Sequence, residues 1–309
     1  MTISKYTPDK WSAAFREAAA AKDGIKLHAL RTLIYEQTLK IVQQGGYTAP
    51  DGGTVKLPNP KLVRDAAVFK VETNNSYDNE PHYQTEVKVV NQDCLLAARD
   101  LWCAGLRPCV LNMASRRNPG GGVLTGAGAQ EENLFRRTNL FQSLYPFSME
   151  LARQYGLEPR EEQYPIDMFA GGIYSPTIAV FRGLEDEGYP LLNTPYPVSV
   201  VTVPAINRPT LTFDGHLTKD LHKSCERKIK TMFRLALAGG NDSLVLGAWG
   251  CGAFRNPPAD IAAIFRECLD HYEFRNCFAI VVFAILDDHN AHLAHNPQGN
   301  YLPFVKEFA

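Results

Sequence analysis

Apolar and polar positions follow two rhythms along the chain, one helical and one of strand character. Near the start, Leu27, Leu30, Leu33, Ile34, Ile41 and Val42 recur at the spacing of a helix with one buried face. The rhythm breaks at QQGGYTAPDGG, where Gly45, Gly46, Pro50, Gly52 and Gly53 read as turn and linker, followed by LPNP at 57–60. Beyond it, short apolar runs alternate with amphipathic stretches. Strands are expected over 67–72, 86–91, 109–113, 177–181, 198–203, 243–247 and 278–286. Several of these runs lack polar alternation, the pattern of strands covered on both faces. Helices are expected between them. Asp93 is placed to cap one carrying Leu96, Ala97 and Leu101. Thr218 is placed to cap one carrying Leu221, Cys225, Ile229, Met232 and Phe233, which Gly239 and Gly240 end. A third begins near Pro258 and carries Ile261, Ile264, Phe265, Cys268 and Leu269 on one face. Helices alternating with buried strands predict a three-layer α/β/α sandwich over 66–309, with residues 1–65 as a helical extension packed on it. The stretch 149–176 has no clear rhythm, and Tyr174 and Ser175 within it either line a cleft or pack.

Composition narrows the chemistry. With 309 residues, 45% of them hydrophobic, the chain can fill a core without covalent staples. A net charge of -1 gives no general attraction for nucleic acid, so direct nucleic-acid binding is not expected. A polyanionic ligand would have to be held by local backbone N–H groups and a few arginines. The seven cysteines are odd in number, include no C-x-x-C pair, and in several cases lie inside apolar runs. They predict neither a disulfide framework nor a zinc knuckle. The opening MTISKYTPDKW lacks the apolar core of a signal peptide, and the longest apolar run, 278–286, is too short for a bilayer. A cytoplasmic protein without membrane contact is expected.

The densest chemistry lies in LNMASRRNPGGGVLTGAGAQEENLFRRTNL, residues 111–140. A buried strand runs into Asn118, Pro119 and the glycines Gly120, Gly121 and Gly122. Gly126 and Gly128 follow, then Gln130, Glu131 and Glu132 at the start of an amphipathic helix. Consecutive glycines let the backbone approach a ligand and form a concavity of N–H groups. The loop is neither a Walker loop nor a G-x-G-x-x-G fingerprint. Acidic residues in a first helical turn also arise simply from the helix dipole. Beside such a loop, however, a carboxyl group is what glycosidic hydrolysis needs to protonate a departing oxygen and assist water.

A second glycine-rich turn, AWGCGAFRNP, follows the strand at 243–247 and precedes a helix, a natural place for a pyrophosphate. Its Cys251 has no histidine nearby in sequence and is not expected to be a nucleophile. Asp287, Asp288, His289, His292 and His295 resemble a ligand set, but no H-E-x-x-H occurs and no metal is expected. Arg116, Arg117, Arg136 and Arg137 bracket the first loop, either as solvated charge or to steer a polyanion.

The loop, its spacer and the QEE letters resemble the signature of the poly(ADP-ribose) glycohydrolases. The flanks are similar to the bacterial-type branch, a macrodomain with an N-terminal helical extension, over roughly residues 93–286. The resemblance implies a macrodomain fold with a mixed central sheet, and a glycosidase of ribose–ribose bonds that needs no cofactor. It implies Glu132 as the acid–base group and Glu131 as a partner of ribose hydroxyls. Gly120, Gly121 and Gly122 then face the distal ribose and phosphate, with Asn118 and Gln130 as further candidate ligand-binding residues. GCGAF is similar to a macrodomain diphosphate loop, with Gly250, Cys251, Gly252 and Ala253 offering N–H groups and Phe254 orienting the ribose. VVNQDCLLAARDL resembles the segment that places an aspartate, here Asp93, on adenine; Leu286 and Asp287 would complete that pocket. The implied substrates are poly(ADP-ribose) or ADP-ribosylated protein, and the product ADP-ribose. Two other readings remain: an ADP-ribose-binding reader without chemistry, which has no need of Glu132, and a hydrolase of mono-ADP-ribosyl marks.

Overall fold

Both rhythms take shape in the computed structural model, which describes residues 6–70, 82–287 and 290–309. In chain order the elements begin with helices α1 (Pro8–Ala20) and α2 (Gly24–Gln43), strands β1 (Gly46–Thr48) and β2 (Thr54–Lys56), and helix α3 (Pro60–Asp65). Strands β3 (Val68–Lys70) and β4 (Glu86–Val90), helix α4 (Cys94–Cys103) and strand β5 (Pro108–Asn112) come next. Helices α5 (Gln130–Arg137), α6 (Phe141–Leu144) and α7 (Met149–Gln154) precede the long strands β6 (Gly172–Arg182) and β7 (Leu191–Thr202). Helix α8 (Lys219–Ala238), strand β8 (Ser243–Leu246), helix α9 (Pro258–Asp270), strand β9 (Ile280–Ala284) and helix α10 (Tyr301–Phe308) complete the chain. Residues 71–72 of the strand expected over 67–72 lie outside the described residues. The chain divides into two compact units: residues 1–67, 117–164 and 177–197 form the first, and 68–116, 165–176 and 198–309 the second.

The second unit is built on the sheet, whose seven strands run in the order β3-β6-β7-β5-β8-β9-β4. β5 pairs in parallel with β7 and β8, and β9 with β8 and β4, while β3 is antiparallel to β6, so the sheet is mixed. Strand side chains alternate between faces. Leu111, Val201, Leu244, Leu246, Val281 and Phe283 belong to one buried cluster with Ile229, Met232 and Phe233 of α8, Ile261 and Phe265 of α9, and Phe304 of α10. The intervening Val110, Val200, Val245 and Val282 are equally buried yet lie outside that cluster, so they face the other way. On that opposite face α4 packs against β5, β8 and β9 with Leu95, Ala97, Ala98 and Leu101 buried. Helices on both faces explain why these strands are apolar throughout, and they make the expected α/β/α layers. Asp93 and Thr218 cap α4 and α8 as expected, each side chain accepting from backbone N–H groups of the first turn. Tyr174 packs: its hydroxyl bonds with Ser199 Oγ at 3.0 Å and Asn241 Oδ1 at 2.7 Å.

The first unit has its own small core of Trp11, Leu30, Leu33, Ile34 and Tyr189, with the Trp11 indole donating to Leu30 O at 2.9 Å. Buried Arg182 donates to Tyr189 O, Thr38 Oγ1 and Gln37 Oε1, which satisfies much of its guanidinium without solvent. One expectation is corrected here. The stretch QQGGYTAPDGG, read as linker, contributes to a hairpin: β1 and β2 pair antiparallel with Tyr47 opposite Val55. The turn signals were real, but they mark the bend between two strands too short to show a period.

Phe265 is fully buried and meets Phe283 edge-on at 5.2 Å between ring centroids. Phe265→Ala is expected to cost about 3–5 kcal/mol, read as a lower denaturation midpoint in urea.

Candidate active site

Residues 118–137, all in the first unit, form a loop that folds back on the helix it feeds. Gly121 N donates to Asn118 O, Val123 N to Gly120 O and Ala127 N to Gly122 O, and 123–125 forms a single 3-10 turn. Helix α5 then starts at Gln130 with Ala129 as its N-cap and no side-chain cap bond. Its first turn carries Glu131 and Glu132. Dipole preference alone would leave both solvated, yet they are only 3% and 6% exposed. Each reaches back to the loop: Glu131 Oε1 accepts from Gly120 N at 3.0 Å and Glu132 Oε1 from Gly122 N at 2.8 Å. Glu132 Oε2 is buried and has no hydrogen-bond partner among the described residues. Such an oxygen costs about 1–3 kcal/mol or more to leave unpaired, so the site holds a carboxyl group with one oxygen anchored and the other ready for a ligand.

The three loop N–H groups are therefore engaged internally: two on the glutamates and one, that of Gly121, on Asn118 O. The glycines' contribution is space. Gly121 has φ +57, and a Cβ there would collide with Glu132 Oε1 and lie 3.0 Å from Glu131 Oε2.

Behind the loop stands a charged network that sequence reading missed. Arg136 and Arg137 are buried, neither solvated nor available to steer a polyanion. Arg136 donates to Ala127 O and Tyr189 OH, both at 2.8 Å, and Arg137 Nε to Arg182 O at 3.3 Å. Tyr189 in turn donates to Glu185 at 2.7 Å, and Glu185 accepts the Arg31 fork at 2.8 and 3.0 Å. Burial opposes the Glu185 charge, but Arg31, with Arg136 and the Tyr189 hydroxyl, outweighs it and holds the carboxyl below the ordinary glutamate range. Arg31 also lies against Gly128, where a Cβ would strike its guanidinium, and His28 O closes on Gly126 in the same way. Helix α2 thus backs the loop. On the glutamate side, the Tyr164 hydroxyl is buried without a partner among the described residues; burial and the charge of Glu131 push its pKa well up. Nothing in the sequence signals this tyrosine, since it lies more than thirty residues from the motif.

The second glycine-rich loop belongs to the second unit. Its N–H groups differ in their use. Cys251 N, Arg255 N and Asn256 N close turns onto Ala248 O, Gly252 O and Gly250 O. Those of Gly250, Gly252, Ala253 and Phe254 donate to no acceptor among the described residues. Gly250 has φ +75, with a Cβ site 2.5 Å from Ala205 Cβ, so only glycine lets the loop lie this close to its neighbour. Cys251 is fully buried, and burial raises its thiol pKa well above the usual value, the opposite of an activated nucleophile. Phe254 packs at the edge of the core, and Arg255 is exposed at φ +61.

Asp93 Oδ1 accepts from Leu95 N and Leu96 N, the cap role read from sequence. Asp287 Oδ1 accepts from Asn300 N and Tyr301 N and so holds the start of α10, while Leu286 is exposed beside it. Of the histidine run, Asp288 and His289 lie outside the described residues. His292 Nδ1 meets Pro297 O at 3.3 Å, and His295 Nε2 meets Cys251 O at 2.8 Å. Among the described residues no group of three His, Cys, Asp or Glu is placed to hold a metal ion, and no helix is long and apolar enough to cross a membrane.

Residues 35–183 match the family described as "Microbial-type PARG, catalytic domain". Among solved structures, the poly(ADP-ribose) glycohydrolase from Thermomonospora curvata bound to the inhibitor ADP-HPD is 30% identical, with a TM-score of 0.70, over 90% of this chain and 99% of that one. A second structure of the same enzyme gives a TM-score of 0.71 at 30% identity and the same coverage. The poly(ADP-ribose) glycohydrolase from Deinococcus radiodurans in complex with ADP-ribose is 32% identical, with a TM-score of 0.63, over 82% of this chain and 98% of that one. No curated protein sequence matches the chain.

The Glu185 network has a pH signature. A carboxyl group depressed in the fold contributes stability above the ordinary glutamate range and loses it as pH falls through the depressed value. Arg31→Gln removes the fork and leaves a buried carboxylate underpaired. Its acid-unfolding midpoint, followed by circular dichroism, is expected at higher pH than that of the unaltered protein.

Proposed function

The chain belongs to the microbial-type poly(ADP-ribose) glycohydrolase family, and from that membership we propose that it cleaves ribose–ribose O-glycosidic bonds of poly(ADP-ribose) with Glu132 as the general acid and base. The observation that carries this assignment is the buried Oε2 of Glu132, without a hydrogen-bond partner among the described residues, beside an Oε1 held by Gly122 N–H. Anchoring one oxygen fixes the direction in which the other presents its proton. In the proposed step, Oε2–H donates to the glycosidic oxygen as the bond from that oxygen to the anomeric carbon breaks. The bond's electron pair leaves with the oxygen, and an oxocarbenium-like centre remains. The carboxylate so formed then accepts a proton from the water that adds to the anomeric carbon, which returns Glu132 to its acid form and releases ADP-ribose.

The other residues divide the rest of the ligand. Glu131, fixed by Gly120 N–H, is assigned the ribose hydroxyls, with Asn118 and Gln130 as further polar contacts and Gly120, Gly121 and Gly122 as the surface the sugar lies on. The loop at 250–254 is assigned the diphosphate. Its support is the set of open N–H groups at Gly250, Gly252, Ala253 and Phe254, the donor arrangement that an anion takes without a charged side chain. Cys251 serves it as a packed spacer, and Phe254 is assigned the adjoining ribose. Asp93, besides capping α4, is assigned the adenine amino group. Residues 1–65 are read as an extension whose His28 and Arg31 support the QEE loop. The substrate is proposed to be the polymer rather than the protein-proximal unit. Seven free thiols, most of them buried, suit the cytoplasm.

Glu132→Gln keeps an oxygen for Gly122 N–H and removes the transferable proton. It is expected to bind ADP-ribose normally by calorimetry while its rate on polymer falls about 10²- to 10⁴-fold; an undiminished rate removes Glu132 from the reaction. Gly121→Ala drives a methyl group into the Glu132 carboxylate at a left-handed φ. The expected outcome is a folded protein whose kcat on polymer drops about a hundredfold.

A further inference from the structure

The histidine-rich run near the C-terminus is unused by the chemistry above, yet two of its members converge on one atom. Cys251 O is the acceptor of His295 Nε2 at 2.8 Å and, more weakly, of Asn296 Nδ2 at 3.5 Å. A carbonyl can only accept, so His295 donates from Nε2, whether its ring is neutral or protonated. Asn296 is 1% exposed, and the two hydrogens of its amide nitrogen go to Asn290 O at 2.8 Å and Asn300 Oδ1 at 2.7 Å, so its approach to Cys251 O is a weak three-centre contact beside the His295 bond. Asp287 fixes the far end of the segment through Asn300 N. Asn290 lies beside the same loop, its Cβ 3.5 Å from the Cβ position of Gly252. The segment 290–300 therefore grips the loop from behind with a rigid set of donors.

The grip acts on a particular peptide unit. The carbonyl of Cys251 and the N–H of Gly252 belong to the same planar group and point in opposite directions. Holding the carbonyl on His295 turns the Gly252 N–H away from that histidine. Hydrogen bonds accepted by a peptide carbonyl also polarise the unit and strengthen its N–H as a donor. Glycine on both sides of Cys251 would otherwise let this peptide rotate freely.

We infer that His295, assisted by Asn296, is a positioning residue that presets the peptide between Cys251 and Gly252 so that its N–H faces a diphosphate. The inference rests on the reading of 250–254 as the diphosphate loop. It gives the run at 290–296 a part in ligand affinity that its position in the sequence does not reveal. Because a diphosphate bound at this loop is held alike before and during bond cleavage, the effect belongs to binding rather than to the chemical step.

Three variants of the full chain test it. His295→Ala removes the donor, His295→Gln keeps an N–H within reach of the same carbonyl, and Ala253→Pro deletes one loop N–H directly. For His295→Ala the expectation is ADP-ribose affinity weakened about five- to tenfold and KM on polymer raised by the same factor, with kcat little changed. His295→Gln is expected to recover most of the loss, and the thermal midpoint of each variant shows whether the fold is intact. Two outcomes overturn the inference while sparing the loop assignment. One is unaltered affinity in His295→Ala where Ala253→Pro binds weakly. The other is a His295→Gln protein as weak as His295→Ala. If all three variants bind ADP-ribose as the parent does, the diphosphate reading of the loop falls, and the role of His295 with it.

Discussion

Two hydrogen bonds between adjacent glutamates and the backbone of a single loop set the geometry of the candidate site. Gly120 N–H and Gly122 N–H each hold one oxygen of Glu131 and Glu132, so both carboxyl groups are drawn out of water at a helix start where they would otherwise be solvated. The loop that holds them must come close enough to touch, and the space beside Gly121 is filled by the carboxylates themselves. Fixing one oxygen leaves the other without freedom to seek its own partner, and the buried Oε2 of Glu132 is the consequence. A polar atom left this way lowers stability.

The two glycine-rich loops look alike in sequence and act by different physics. In the first, backbone N–H groups are already bound to side chains of the following helix and to Asn118 O, and the glycines supply close approach. In the second, the N–H groups of Gly250, Gly252, Ala253 and Phe254 have no acceptor among the described residues, while the carbonyls are taken, that of Cys251 chiefly by His295 and that of Gly250 by Asn256. One loop uses its N–H groups to hold carboxylates, and the other keeps several of its own without an acceptor among the described residues.

Buried charge supports the first of these arrangements. Arg136, Glu185 and Arg31 are linked through Tyr189, and Arg136 and Arg31 touch the segment 127–128 that connects the glycines to the glutamates. Arg31 pairs with Glu185, and Arg136 donates to the Tyr189 hydroxyl and to Ala127 O, which offsets the cost of burying these charges. Helix α2 contributes Arg31 and the carbonyl of His28, so the N-terminal helices serve the loop as well as their own small core.

Much of the fold was legible in the residues because its signals are local. Apolar runs at 198–203, 243–247 and 278–286 are buried strands since both their faces are covered. Asp93 and Thr218 announce helix starts because a cap acts on N–H groups two or three residues away. The glycine loop and QEE point to chemistry for the same reason: loop and acids lie within fifteen residues of one another. What tertiary structure alone decided involves distant partners. The hairpin at 46–56 is too short for its alternation to be read. The burial of Arg136 and Arg137 depends on Tyr189 and Arg182, some fifty residues on. The grip of His295 on Cys251 joins residues 44 apart. Sequence pattern determines what each segment prefers, because preference arises from neighbours along the chain. Which carboxylate oxygen is left without a partner, and which amide faces outward, depends on packing between segments that no local pattern encodes.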